Sequence, residues 1–122
     1  MADYEGETEK RDWMAAKEFV RNELVKQARR NELISFLTII FHLAADPSLP
    51  AFNLANLLLE ITVDEHREGR GLLTALAVPD TDGDHLPDEW FFVLARKLGY
   101  EFDDKREFWI QERDRIFSMY AQ

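Results

Sequence analysis

The sequence predicts a mainly α-helical (α+β) domain with about five helices and a small β element near residues 72–78. Three observations carry this. Apolar residues recur at helical spacing through most of the chain. Pro and Gly clusters at 47–50, 69–71 and 99 punctuate that pattern. One run, Leu72-Leu73-Thr74-Ala75-Leu76-Ala77-Val78, is too short for a typical helix and is bounded by Gly71 and Pro79, as a buried strand would be.

The elements follow in order. Residues 1–7 read as a disordered acidic tail, and 8–122 as a single globular domain. A first helix is expected over 8–30, with Trp13, Ala16, Val20, Leu24 and Ala28 on one face. Lys26, Arg29 and Arg30 at its end suit the helix dipole. A second helix is expected over 32–45. It is apolar nearly all round, which predicts a central helix covered on several sides. Pro47 and Pro50 end it. A third is expected over 51–67, with Glu60, Asp64 and Glu68 as an acidic stripe. After the 72–78 run, Pro87, Asp88 and Glu89 open a fourth helix ending at Leu98, where Gly99 is a suitable stop. Asp104 and Glu107 have the spacing of a capping box and start the fifth. Trp109, Ile116 and Tyr120 share its inner face. Trp90, Phe91, Leu94 and Trp109 are expected to join the last two helices to the helix at 32–45.

Composition bounds the function. A chain of 122 residues that is 46% hydrophobic, with nine Phe and three Trp, can bury a core without staples. The absence of cysteine excludes disulfides, a thiol nucleophile and zinc–thiolate sites. No signal-peptide pattern opens the sequence, and the longest apolar stretch, 33–45, is too short to span a bilayer. A cytoplasmic protein with no membrane association is the expectation. The net charge of −9, from 24 acids and 15 bases, opposes generic nucleic-acid binding and suits a protein partner, particularly a basic one. Against this trend, residues 10–32 hold seven bases and four acids.

One segment carries a chemical signature. Asp80, Asp82, Asp84 and Asp88 occupy the first, third, fifth and ninth places of a loop in which carboxylates can converge on a hard cation. His85 stands where the sharp turn wants glycine, and Phe91 where a bidentate carboxylate closes the site. The segment resembles one copy of the Asp-rich calcium repeats of the thrombospondin type 3 kind. That resemblance implies Asp80, Asp82, Asp84 and Asp88 as metal ligands. With the glycine and the closing carboxylate missing, the residues support at most weak Ca²⁺ binding of about 10⁻⁴–10⁻³ M, and no other cofactor. Turn and helix-cap roles explain the same residues without a metal.

No catalytic constellation is visible. His42, His66 and His85 are isolated, and no pair has metal-ligand spacing. The serines lack a nucleophile-elbow context, and Gly69 and Gly71 do not form a phosphate loop. Arg70 is expected to point into solvent. The chain is therefore expected not to be an enzyme. It reads as a non-catalytic macromolecule-binding protein, with immunity, antitoxin and defence-accessory proteins as analogues. Lys17, Arg21, Lys26 and Arg29 on a basic surface, and Glu60 and Asp64 on an acidic one, are the candidate partner-binding residues. In the order of its elements the chain also resembles a winged-helix arrangement. That resemblance implies the alternative, a nucleic-acid-binding protein using the basic first helix. A metal-dependent enzyme or calcium module using the acidic loop is the third reading.

Overall fold

The structure is a computed structural model that describes residues 2–49, 52–80 and 86–121, with side chains from residue 9 onward. Helix α1 spans Ala2–Arg30, β1 Ile34–Ser35, α2 Phe36–Ala44 and α3 Leu54–Arg67. A 3-10 turn at Leu73–Leu76 leads into β2, Ala77–Val78, and α4, Glu89–Lys97, and α5, Lys105–Tyr120, complete the fold. The chain is thus mainly helical with a small β element, as its periodicity requires.

Helix α1 is longer than its apolar pattern suggests, running back through the segment read as a tail. No proline interrupts those first turns. Its end is set by Asn31, which adopts the left-handed conformation with φ 56°, while the Glu32 amide reaches back to the Gln27 carbonyl at 3.0 Å. Because Asn31 turns the chain there, α2 cannot begin at 32. Ile34 and Ser35 first extend and pair, in parallel, with Ala77 and Val78. Ser35 then caps α2, its hydroxyl accepting from the Thr38 amide at 3.1 Å. The strands run parallel and belong to distant segments of the chain.

The run 72–78 is a strand only in its last two residues. All of its side chains are buried, and the 3-10 turn lets them serve two cores. Leu73, Leu76 and Ala77 face the larger core with Val20, Leu24, Ala28, Leu57, Leu58, Ile61 and Ile116. Leu72, Ala75 and Val78 face the smaller one with Phe91, Phe92, Ala95 and Trp109. A period of three residues per turn separates the two sets, as a period of two would have done in a strand. Two polar contacts fasten the segment. The Trp109 indole donates to the Ala75 carbonyl at 2.8 Å. Thr62 gives its proton to the Leu58 carbonyl at 2.7 Å, so Thr74 donates to Thr62 across 2.6 Å.

Helix α2 corrects the expectation of a central, covered helix. Only Ile39 is fully buried, while Leu37 is 58%, Ile40 45% and Phe41 63% exposed. The central place belongs to the 3-10 turn, which α1, α3 and α5 all contact. Phe91 and Trp109 accordingly pack on Leu72, Ala75 and Val78 instead of on α2.

Glycine matters most at Gly71. Its φ is +84°, and a Cβ there would overlap the Arg115 guanidinium and lie 3.2 Å from a Glu112 carboxylate oxygen. The entrance to the 3-10 turn is therefore shaped around an ion pair from α5.

Candidate functional site

The two charged surfaces expected from the sequence meet each other. Lys17 and Arg21 lie one turn apart on α1 and face Glu60, Asp64 and Glu65 on α3. The Lys17 ammonium is 2.8 Å from Glu60 and 2.9 Å from Asp64. The Trp13 indole donates to the second Glu60 oxygen at 2.7 Å. Burial would lower the Lys17 pKa, but the hydrogen bonds and charges of Glu60 and Asp64 outweigh it and hold the ammonium above its ordinary value.

Glu65 is the centre of this network, although no local pattern around it signals burial. Its side chain is 1% exposed. It accepts from Arg21 Nε at 3.2 Å and from Arg70 Nε and Nη2 at 3.1 and 2.6 Å. Burial alone would raise its pKa. The hydrogen bonds from Arg70 and Arg21, with their charges, prevail and hold the carboxyl below its ordinary value. Arg70, expected to point into solvent, folds back onto α3 instead.

A second buried carboxylate, Glu112, closes the far end. It accepts from the Leu72 amide at 2.9 Å and from Arg115 at 2.8 and 3.0 Å. Burial, and then the Glu112 charge, push the neighbouring Tyr100 phenol up, against the pull of Arg115. Tyr100 lies 3.2 Å from His66 Nδ1. This pair lines neither of the two clefts described below. His42 of α2 binds Glu23 of α1 at 2.7 Å.

The remaining candidates separate. Lys26 and Arg29 are exposed on α1, without an ion-pair partner among the described residues. Of the proposed metal ligands, Asp82 and Asp84 lie outside the described residues. Asp80 is exposed. Asp88 caps α4, accepting from the Glu89 amide at 2.8 Å. Among the described residues no cluster of three or more His, Asp and Glu side chains is placed to hold a metal ion.

Two clefts flank Arg21. One, of about 600 Å³, lies over the Lys17–Asp64 and Arg21–Glu65–Arg70 contacts. The other, of about 480 Å³, is bounded by Phe19, Val25, Lys26, Arg29 and Tyr120. Away from both, the exposed α2 residues Leu37, Ile40, Phe41 and Ala44 recur at i, i+3, i+4 and i+7, which makes a continuous apolar stripe. The sequence did signal this stripe, as an apolar helix, but not that it faces outward. No protein-family model, curated protein or solved structure matches the chain. No helix among the described residues is long and apolar enough to cross a membrane.

Proposed function

We propose that this chain is a non-catalytic binding protein that seats a protein partner on the outer face of α2. The observation that carries the reading is the exposure of Leu37, Ile40 and Phe41 on one stripe. Ionisable side chains on α2 are confined to His42, which is turned toward Glu23. Exposed large apolar side chains grouped on one element mark interaction sites. A helix presenting i, i+3, i+4 and i+7 anchors suits an apolar groove on the partner. Burial of each large side chain is worth about 1.5–3 kcal/mol at most, so three anchors are a substantial hot spot. The net charge of −9 favours a basic partner and a salt-dependent on-rate.

The nucleic-acid reading is weakened by the same geometry. Lys17 and Arg21, two of the four cations it relies on, are engaged with α3 carboxylates. By analogy, the chain stands beside small acidic immunity and antitoxin proteins.

The test is an Ile40→Asp/Phe41→Asp variant, compared with wild type for partners retained from the native host. Both residues are exposed, so circular dichroism should be unchanged. A specific partner kept by wild type and lost by the variant supports the proposal. An unchanged partner set, or tight wild-type binding to duplex DNA at physiological salt, overturns it.

A further inference from the structure

The two clefts beside Arg21 differ in how their charges are used. The larger is lined by four cations and four carboxylates. Lys17, Asp64, Arg21, Glu65 and Arg70 are bonded among themselves, so this cleft is electrostatically spent. In the smaller cleft, Arg21, Lys26 and Arg29 face a single carboxylate, Glu23. Glu23 is already bonded to His42. Lys26 and Arg29 have no ion-pair partner among the described residues, and Arg21 spends only its Nε on Glu65, leaving its terminal nitrogens as donors. Two cations without an ion-pair partner among the described residues, Lys26 and Arg29, therefore line this cleft beside the partly engaged Arg21, on a chain that carries −9.

The rest of the lining is of another kind. Beside Asn22, Phe19, Val25 and the Tyr120 ring supply apolar surface from both α1 and α5, and the Tyr120 hydroxyl is buried without a hydrogen-bond partner among the described residues. A volume of about 480 Å³ lies within the range of small-molecule sites, about 300–1,000 Å³. An apolar wall with a few convergent polar groups is the usual composition of such sites.

We propose that the cleft between α1 and the end of α5 binds a small organic oxyanion, a carboxylate or phosphate carried on an apolar ring or chain. The oxyanion sits between Lys26 and Arg29, within reach of Arg21. The apolar body lies against Phe19, Val25 and Tyr120. Charge-assisted hydrogen bonds fix the anionic end, and burial of the ring supplies preference over a bare ion. No residue lining this site belongs to α2, which reaches it through the His42 contact to Glu23.

The experiment is a titration of ¹⁵N-labelled protein with phenyl phosphate, benzoate and inorganic phosphate, followed by amide shifts. Saturable shifts are expected at 19–29 and near 120, with phenyl phosphate or benzoate binding more tightly than inorganic phosphate. Comparing the two aromatic probes distinguishes phosphate from carboxylate as the preferred head group. Lys26→Gln/Arg29→Gln, at exposed positions, should weaken the better probe about tenfold or more, the loss of about 1.4 kcal/mol or more in binding. Ile40→Asp should leave it unchanged, which separates this proposal from the protein-binding one. Shifts that never saturate, equal affinity in the double variant, or inorganic phosphate binding as tightly as both aromatic probes would each overturn it.

Discussion

The 71–78 segment is clamped from two sides by different physical means. On one side α1 and α3 are tied by charges above a Leu, Val and Ile core: Lys17 to Glu60 and Asp64, and Arg21 with Arg70 to the buried Glu65. On the other, α4 and α5 are joined through rings. Phe102 stacks on Phe108 at 4.2 Å, Phe91 of α4 lies 6.4 Å from Phe108 of α5, and Arg96 lies 4.0 Å over Phe102. Charged contacts are directional and depend on protonation and salt, whereas ring burial depends on neither. One wall of this protein is therefore more tunable by solution conditions than the other, where the Glu89–Lys105 and Glu112–Arg115 pairs only supplement the rings.

The largest effect is expected on the aromatic side. Trp109 is 2% exposed, and Trp109→Ala should cost about 3–5 kcal/mol in urea unfolding, independent of salt. A melting temperature equal to wild type would mean that this wall is not what seals the segment.

Glu65→Gln comes next, at about 2–3 kcal/mol near neutral pH, because the charge-assisted bonds to Arg21 and Arg70 are lost together. Its pH dependence sharpens the contrast. The folded pKa of Glu65 lies below the ordinary 4.5, so the unfolded chain takes up the proton first. The stabilisation is fully present above about 4.5 and is lost as pH falls through the folded value. The difference between wild type and Glu65→Gln should shrink over that acid range, while that between wild type and Trp109→Ala should not. A gap for Glu65→Gln that stays constant down to pH 3 would refute the assignment.

The smallest effect belongs to Lys17→Met. Its partners are about two-fifths exposed, so roughly 0–1 kcal/mol is expected. Most of that should vanish in 1 M salt, where the screening length is about 3 Å. A loss that persists at high salt would point to packing of the Lys17 stem instead.

Local features of this fold were legible in the sequence. The α1 stripe of Ala16, Val20, Leu24 and Ala28, the Asp104 cap of α5 and the Gly99 stop after α4 each follow from residues within one or two turns. What was not legible depends on distant partners. Glu65 and Glu112 read as surface residues until Arg21, 44 positions from Glu65, and the Leu72 amide, 40 from Glu112, are brought to them. The burial of Glu112 between Trp109 and Ile116 also explains why α5 shows a broken apolar face. The outward turn of α2 was hidden because an all-apolar helix looks the same whether other elements cover it or leave it open. Of the candidate site residues, Lys17, Arg21, Glu60 and Asp64 were recognised as important charges, but that they would find one another was not.

The Trp109–Ala75 contact has a consequence for synthesis. Ala75 sits in the middle of the chain, and the indole that covers its carbonyl arrives 34 residues later. Elongation adds about 5–20 residues each second, so residues 72–78 leave the ribosome seconds before α5 can reach them. During that interval this stretch, fully buried in the finished fold, has α1 and α3 beside it on one flank, with its Leu72, Ala75 and Val78 flank still wet. The nascent chain is thus most exposed to chaperones and to self-association in the short window between the emergence of β2 and the docking of α5.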